Sequence, residues 1–325
     1  MGRMVVRFRD GGVVRWGQLT SRAPTRPEDV LGVTPFAADM STTAEVIAAA
    51  DRGALMTEPE IRISAAQLLS PVTLDATIFA QGLNYESHAS EAQHAKRKSN
   101  LIFSKASSSL TGAYNDIVRP AEVQLLDYEV EFGIVLRRRL GEGDEVTDET
   151  LGQAVAGIVL CNDVSARDTM FGTTFLQWYR GKSYRTFCPC GPVLWLLDPG
   201  EAKAALEGLE LQLSVNGEER QAASSQQLIW KPAETLSYIA STIDLKPGDL
   251  LLTGTPGGVT APATPRMVDI LKTHLLADDV RRDELRVEMT AGRPFLKPGD
   301  VVTATLVQAG GQSLGGLANT VADPA

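Results

Sequence analysis

The sequence predicts a mixed β, α+β chain, with a small α+β module at the N-terminus leading into a larger strand-rich domain. Three observations predict it. Short apolar, β-branched stretches recur along the chain, among them Ile78 to Ala80, Leu101 to Phe103, Leu125 to Leu136 and Ala154 to Leu160. Turn chemistry separates such stretches: Asp10-Gly11-Gly12 lies between Val5–Phe8 and Val13–Trp16, and Asn216-Gly217 ends an alternating run from Leu209, both hairpin signals. Helical patterning is confined to a few stretches, such as Thr42 to Ala54 and Glu234 to Ser241.

The 325 residues suffice for a large core, and the balance of apolar and charged residues is that of a soluble globular chain. A net charge of −9 argues against a nucleic-acid surface and gives no broad attraction to an anionic membrane. Met1 to Asp10 has no long apolar core, so no secretory leader is expected, and no apolar run has the roughly 18 residues of a membrane span. Cys161, Cys188 and Cys190 cannot all pair and show no zinc spacing with histidine, which fits a reducing cytoplasm.

In chain order, the first hairpin and the Thr42 helix, whose Thr42 and Glu45 have capping-box spacing, form a module over residues 1–71. It ends at Leu68-Leu-Ser-Pro-Val72 and carries no catalytic signal. The larger domain spans 72–325. Ile78 to Gly82 is a strand running into a helical start that holds His88 and Glu91 three residues apart. A carboxylate beside an imidazole fixes its tautomer and raises its basicity, as a general base requires; the competing reading is a surface histidine on a polar helix. The polar run that follows, with His94, reads as exposed. Lys105 ends the next strand beside Ser107-Ser-Ser109, as an anion contact or as an ordinary strand-end lysine.

Leu125 to Leu136 follows as an acidic strand. Period-two alternation puts Asp127, Glu129 and Glu131 on one face. Like charges about 4 Å apart repel by roughly 4 kcal/mol at an effective dielectric near 20, so protonation, pairing with Arg or Lys, or a bound cation must offset the cost unless the face is open to solvent. Arg137-Arg-Arg139 reads as a solvated strand end. The apolar strand from Ala154 ends in Asn162-Asp163, a further carboxylate, and leads to Arg167-Asp168, which opens a turn or helix or forms a mutual ion pair. Lys182 lies in a Gly-Lys-Ser without the upstream glycine loop of a P-loop, which disfavours nucleotide binding. Cys188 and Cys190 read as buried filler. Leu245-Lys-Pro-Gly-Asp249 recurs as Leu296-Lys-Pro-Gly-Asp300, two similar turns. Between them, residues 260–294 are charged, with an apolar helical face at Val268, Leu271 and Leu275; His274 in this stretch reads as structural.

Glu129, Glu131 and Asp163 together are carboxylates on apolar strands with no Cys or His cluster. That is oxygen-rich ligation for a hard cation, Mg²⁺, Mn²⁺ or Ca²⁺, and not zinc.

These pieces resemble the fumarylacetoacetate hydrolase family. The matching motifs are Gly82-Leu-Asn-Tyr-Glu-Ser-His88-Ala-Ser-Glu91, Asp127-Tyr-Glu-Val-Glu131, Asn162-Asp-Val-Ser-Ala-Arg-Asp168, Gln177-Trp178, Gly181-Lys-Ser-Tyr-Arg-Thr-Phe-Cys-Pro189, Val215-Asn-Gly217, Thr253-Gly-Thr-Pro256 and Phe295-Leu-Lys-Pro-Gly-Asp300. They run in family order over about residues 75–320. The resemblance implies a β-sandwich roll, a homodimer, and a divalent metal held by Glu129, Glu131 and Asp163. It implies a water-activating pair in His88 and Glu91, with Lys182 and Arg167 near metal and substrate. Tyr85, Met170 and Thr255 join Arg167 as implied substrate contacts. The sequence departs from many relatives at Gln81, where some carry a fourth acidic ligand, at Met170, where many have Gln, at Ser183-Tyr184-Arg185, and in the long 260–294 insert. Met170 suggests a less polar contact, and the insert either covers the site or extends a dimer contact.

The activity so implied is hydrolysis of a carbon–carbon bond in a 1,3-diketo acid such as an acylpyruvate, in the cytoplasm. His88, oriented by Glu91, would activate the attacking water, Lys182 would steady the oxyanion, and the carbon leaving group would depart as an enolate. The alternative is a 2-oxo acid decarboxylase, tautomerase or isomerase using the same site without an attacking water. A catalytically silent metal-binding protein is a third class.

Overall fold

A strand with one apolar face must bury it against a second layer, and the chain supplies two sheets for this. The computed structural model describes residues 2–86, 99–261 and 264–324. Among them, a twelve-stranded mixed sheet follows the order Ile61–Ser64, Val30–Pro35, Val13–Leu19, Arg3–Asp10, Cys188–Leu196, Val155–Asn162, Val130–Leu136, Leu250–Leu252, Ile78–Gly82 and Leu101–Lys105, with Leu68–Leu69 and Leu110–Thr111 pairing off this path. A five-stranded sheet runs Glu218–Ser224, Leu209–Val215, Val301–Gln308, Ser313–Ala322 and Ile117–Val118. Neither sheet closes into a barrel among the described residues.

The hairpins form where turn chemistry placed them. Arg3–Asp10 pairs antiparallel with Val13–Leu19 around Gly11 and Gly12, both at positive φ, and Leu209–Val215 pairs with Glu218–Ser224 through Asn216 and Gly217. The N-terminal helix spans Thr43–Asp51 with both halves of the Thr42–Glu45 capping box in place. Strand Arg3–Asp10 also pairs with Cys188–Leu196, with Met4 opposite Trp195, so the N-terminal strands continue the sheet that carries the site.

Period-two alternation divides the core. Val130, Phe132, Ile134 and Leu136 pack with Leu211, Leu213, Leu306 and Leu317 of the second sheet. On the opposite face, Val135, Val159, Leu250 and Leu252 pack with Val46 and Ile47 of the Thr43–Asp51 helix. Cys161, Cys188 and Cys190 are free, buried and part of this second layer. Two helices, Pro265–Thr273 and Asp278–Thr290, form a hairpin within the 260–294 insert. No helix among the described residues is long and apolar enough to cross a membrane.

Two expectations differ locally. The acidic strand is interrupted: Leu126–Asp127 pairs with Ser165–Ala166, Tyr128 and Glu129 leave strand geometry, and a new strand starts at Val130. Arg137 is not a solvated strand end. It reaches the carbonyl of Val155 at 3.2 Å and of Leu197 at 2.5 Å, and pairs with Asp51.

Candidate active site

The site forms where several strands of the large sheet begin or end. Strands Val130–Leu136 and Val155–Asn162 are antiparallel, with Val130 opposite Asn162 and Glu131 opposite Cys161. The start of one therefore lies beside the end of the other. This register brings Glu129, Glu131 and Asp163 together, each buried, with one carboxylate oxygen apiece lying within 4.8 Å of the others. The Thr253-Gly254-Thr255 loop leaves the neighbouring strand Leu250–Leu252. The Gly254 amide donates to Glu131 Oε2 at 2.6 Å, and the Thr255 hydroxyl donates to the Val130 carbonyl at 3.0 Å. Gly254 has φ +91°, and a Cβ there would lie 2.9 Å from Asn84 Cβ and 3.0 Å from the Gln81 carbonyl, so the loop needs glycine at this point.

Three cations surround the carboxylates. Lys182 Nζ, fully buried, donates to Glu129 Oε2 at 2.9 Å, Asp163 Oδ2 at 2.6 Å and Ser165 Oγ at 2.8 Å. Lys105 Nζ donates to Asp163 Oδ1 at 2.5 Å and to the Phe187 carbonyl at 3.0 Å. Arg167 Nη2 lies 2.6 Å from Glu129 Oε1 and 2.9 Å from Asp127 Oδ2. Asp127 is directed elsewhere than the triad: it accepts from Arg167 Nε at 2.9 Å and from the amides of Thr260 at 3.0 Å and Ala261 at 3.1 Å. These contacts to a loop more than 130 residues away break the strand at Tyr128. Asp168 does not pair with Arg167; it accepts from the Gln124 amide at 2.6 Å.

Burial alone would discharge Lys182, but Asp163 and then Glu129 outweigh it and hold the ammonium above its ordinary value. Glu131 behaves in the opposite way. Burial, then Asp163 and Glu129, push its carboxyl well above the usual range, and no ion pair to it exists among the described residues. Four buried carboxylates, Asp127, Glu129, Glu131 and Asp163, thus face three cations. The all-oxygen donors, with Glu131 giving up its proton as the ion binds, fit a hard divalent cation at Glu129, Glu131 and Asp163.

Glu129 opens onto a cavity of about 240 Å³, the scale of a small-molecule site and not of a macromolecular groove. Glu129, Arg167, Lys182 and Thr255 form its polar part. Phe103, Phe171, Leu176 and Trp178, together with Met267, Val268 and Leu271 of the inserted hairpin, form its apolar part. Trp178 packs edge-on against Phe103 and Phe171, with ring centroids 5.3 and 6.2 Å apart. Phe175 and Leu176 both take left-handed backbone conformations (φ 56° and 55°), a cost of roughly 1–3 kcal/mol each where the loop turns to present Leu176.

The structure therefore brings together Glu129, Glu131, Asp163, Lys182, Arg167 and Thr255. Tyr85 and Met170 are buried and are not among the residues lining the cavity. Tyr85 is in the main core with a hydroxyl lacking a hydrogen-bond partner among the described residues, and Met170 Sδ sits 3.9 Å from Arg167 Nη1. His88 and Glu91 fall outside the described residues, as does His94. Gln81 lines the cavity, but its amide donates to Asn100 at 2.8 Å and Thr235 at 3.1 Å. Lys105, read from the sequence with two meanings, is an ion-pair partner of Asp163. Phe103 carried no signal beyond hydrophobicity, and Trp178 was marked by its family motif without a role; Val268 and Leu271 were legible as a helical face, though not what that face covers.

Comparison with known proteins agrees with this geometry. The model of the fumarylacetoacetate (FAA) hydrolase C-terminal domain matches residues 77–322. The mitochondrial oxaloacetate tautomerase FAHD2A of Bos taurus is 36% identical over 250 residues, covering 77% of this chain and 74% of that protein. The 2,4-didehydro-3-deoxy-L-rhamnonate hydrolase of Sphingomonas sp. (strain SKA58) is 37% identical over 262 residues, 80% of this chain and 84% of that one. Among solved structures, a fumarylacetoacetate hydrolase from psychrophilic Exiguobacterium antarcticum superposes with a TM-score of 0.72 at 26% identity, covering 99% of this chain and 100% of that chain. A probable 2-hydroxyhepta-2,4-diene-1,7-dioate isomerase from Mycobacterium abscessus gives 0.70 at 25% identity, with both chains covered completely. On motif order, site geometry and these matches, the chain belongs to the fumarylacetoacetate hydrolase family.

Proposed function

We propose that this protein is a divalent-cation-dependent hydrolase that cleaves the carbon–carbon bond of a small 1,3-diketo acid of the acylpyruvate type. The observation that carries the reading is a buried, all-oxygen triad that meets a small cavity through Glu129. An ion held by Glu129, Glu131 and Asp163 (Mg²⁺, Mn²⁺ or Ca²⁺) supplies, when bound, Lewis acidity toward the substrate's neighbouring oxygen atoms. Arg167 and Thr255, which line the cavity, orient the substrate beside the triad. His88, with Glu91 fixing its tautomer, takes the proton of the attacking water. Lys182, which lines the cavity, is the positive charge that steadies a developing oxyanion. Its three N–H donors are already engaged by Glu129, Asp163 and Ser165, so donation to an oxyanion requires release of one of them. The proposal includes assembly as a homodimer, which family membership supports and sedimentation tests.

A second reading, keto–enol tautomerisation of a 2-oxo acid, is favoured by the 36% identity to proteins named oxaloacetate tautomerases. Product analysis separates the two. Hydrolysis releases two acids from an acylpyruvate, and His88→Ala lowers that rate by roughly 10²–10⁴-fold. Full hydrolysis by His88→Ala removes the role of His88; interconversion of tautomers without cleavage favours the second reading.

A further inference from the structure

Most of the cavity lining is apolar, and part of it comes from the insert. Met267, Val268 and Leu271 reach the cavity from the Pro265–Thr273 helix. That helix is held in place on several sides. Thr264 caps it, accepting from the Met267 amide at 3.0 Å and donating to Glu288 at 2.7 Å. Arg281, on the second helix, is 1% exposed and donates to the carbonyls of Phe171 (2.8 Å), His274 (2.5 Å) and Leu275 (2.6 Å) and to Asp278 (2.6 Å). Phe171 ends the short helix that begins with Arg167. Arg281 therefore ties the hairpin to the element carrying a cavity cation.

The cations lining the cavity among the described residues are Arg167 and Lys182, and both already face carboxylates. A second carboxylate at the far end of a substrate would be desolvated against Phe171, Trp178, Met267 and Leu271 with no further cation among the described lining residues to meet it. A hydrocarbon group there would bury its surface favourably.

We propose that the inserted hairpin selects the acyl end of the substrate, which is a monocarboxylic 2-oxo acid bearing a neutral, apolar acyl group and not a dicarboxylic acid. Met267, Val268 and Leu271 are the specificity residues, and Arg281 is a positioning residue. This inference rests on the 2-oxo acid reading above.

The test measures binding of non-cleavable ligands to the full chain with Mg²⁺ by calorimetry. Oxalate has the two-oxygen head and no tail. 2-Oxohexanoate and 2-oxoglutarate share the head and differ in whether the tail is apolar or charged. Oxalate is expected to bind only with Mg²⁺ present, and 2-oxohexanoate roughly tenfold or more tighter than 2-oxoglutarate. Leu271→Lys, and separately Val268→Lys, place a cation on the wall at half-buried positions and should reverse that preference. Val287→Lys, at a hairpin residue 74% exposed, should not. Arg281→Lys should shrink the tail preference while leaving oxalate affinity unchanged, a split that general destabilisation would not produce. Oxalate binding with 2-oxoglutarate equal to or tighter than 2-oxohexanoate overturns the inference and leaves the metal-site reading intact. Mg²⁺-dependent binding of none of the three ligands, oxalate included, overturns both.

Discussion

Replacing Lys182 by methionine tests how the acidic floor is held when no cation is bound. Lys182 Nζ lies 2.9 Å from Glu129 and 2.6 Å from Asp163, with its side chain 2% exposed. At an effective dielectric near 20, each contact is an attraction of roughly 6 kcal/mol. Much of that offsets the desolvation of the ammonium and its partners. Methionine keeps the length and fills the space but leaves Glu129 and Asp163 facing one cation fewer. Removing one partner of a buried ion pair costs about 3–5 kcal/mol, a large part of the roughly 5–15 kcal/mol that holds an ordinary domain folded. In urea denaturation with a chelator present, the unfolding free energy of Lys182→Met should fall by that amount, seen as a lower midpoint at unchanged slope. Added Mg²⁺ should then stabilise the variant more than the wild type, because the ion no longer shares Glu129 and Asp163 with an ammonium. Saturation at 100 times its dissociation constant returns about 2.7 kcal/mol. A loss below about 1 kcal/mol in chelator, or equal Mg²⁺ stabilisation of both proteins, would refute this view of the floor.

Two other changes probe the support around it. Gly254→Ala forces a side chain into a left-handed backbone conformation 2.9 Å from Asn84 Cβ; it should cost about 1–3 kcal/mol and, by moving the amide that meets Glu131, weaken Mg²⁺ binding by roughly 10–100-fold. Calorimetric titration showing unaltered affinity would contradict the role given to that amide. In the N-terminal helix, Thr42→Ala should lower stability by about 1 kcal/mol and leave turnover unchanged. The Ser41 and Thr42 amides hold the Glu45 carboxyl below its ordinary value of 4.5, so its contribution is fully present above pH 4.5 and is lost as pH falls through the depressed value. Thermal melts of wild type and Glu45→Gln should therefore converge in acid; a gap that persists there would count against the capping box.

The parts of the fold legible in the sequence were those fixed by local chemistry. Asp10-Gly-Gly12 and Asn216-Gly217 specify their hairpins because few residues reach the φ values such turns need. Thr42 and Glu45 cap a helix through bonds spanning three residues. The buried acidic triad was legible for an energetic reason: Glu129, Glu131 and Asp163 sit on or beside stretches too apolar to be surface strands. What escaped were features decided by distant contacts. Alternation puts Asp127 with the triad, yet the Thr260 and Ala261 amides and Arg167 draw it away and interrupt the strand. Arg167 and Asp168 are adjacent in sequence but take separate partners. Lys105 shows nothing in its own neighbourhood that distinguishes a surface lysine from the ion-pair partner of Asp163. The cavity wall joins residues from Phe103 to Leu271, and no window along the chain contains both.

The most direct measurement is turnover of acetylpyruvate with Mg²⁺ or Mn²⁺ and again with chelator, for wild type and Asp163→Asn, with the products identified. The structure leads us to expect two acids released only when the ion is present, and loss of that turnover in Asp163→Asn. Cleavage that proceeds at full rate in chelator, or that survives the Asp163→Asn change undiminished, would contradict a catalytic divalent cation at Glu129, Glu131 and Asp163.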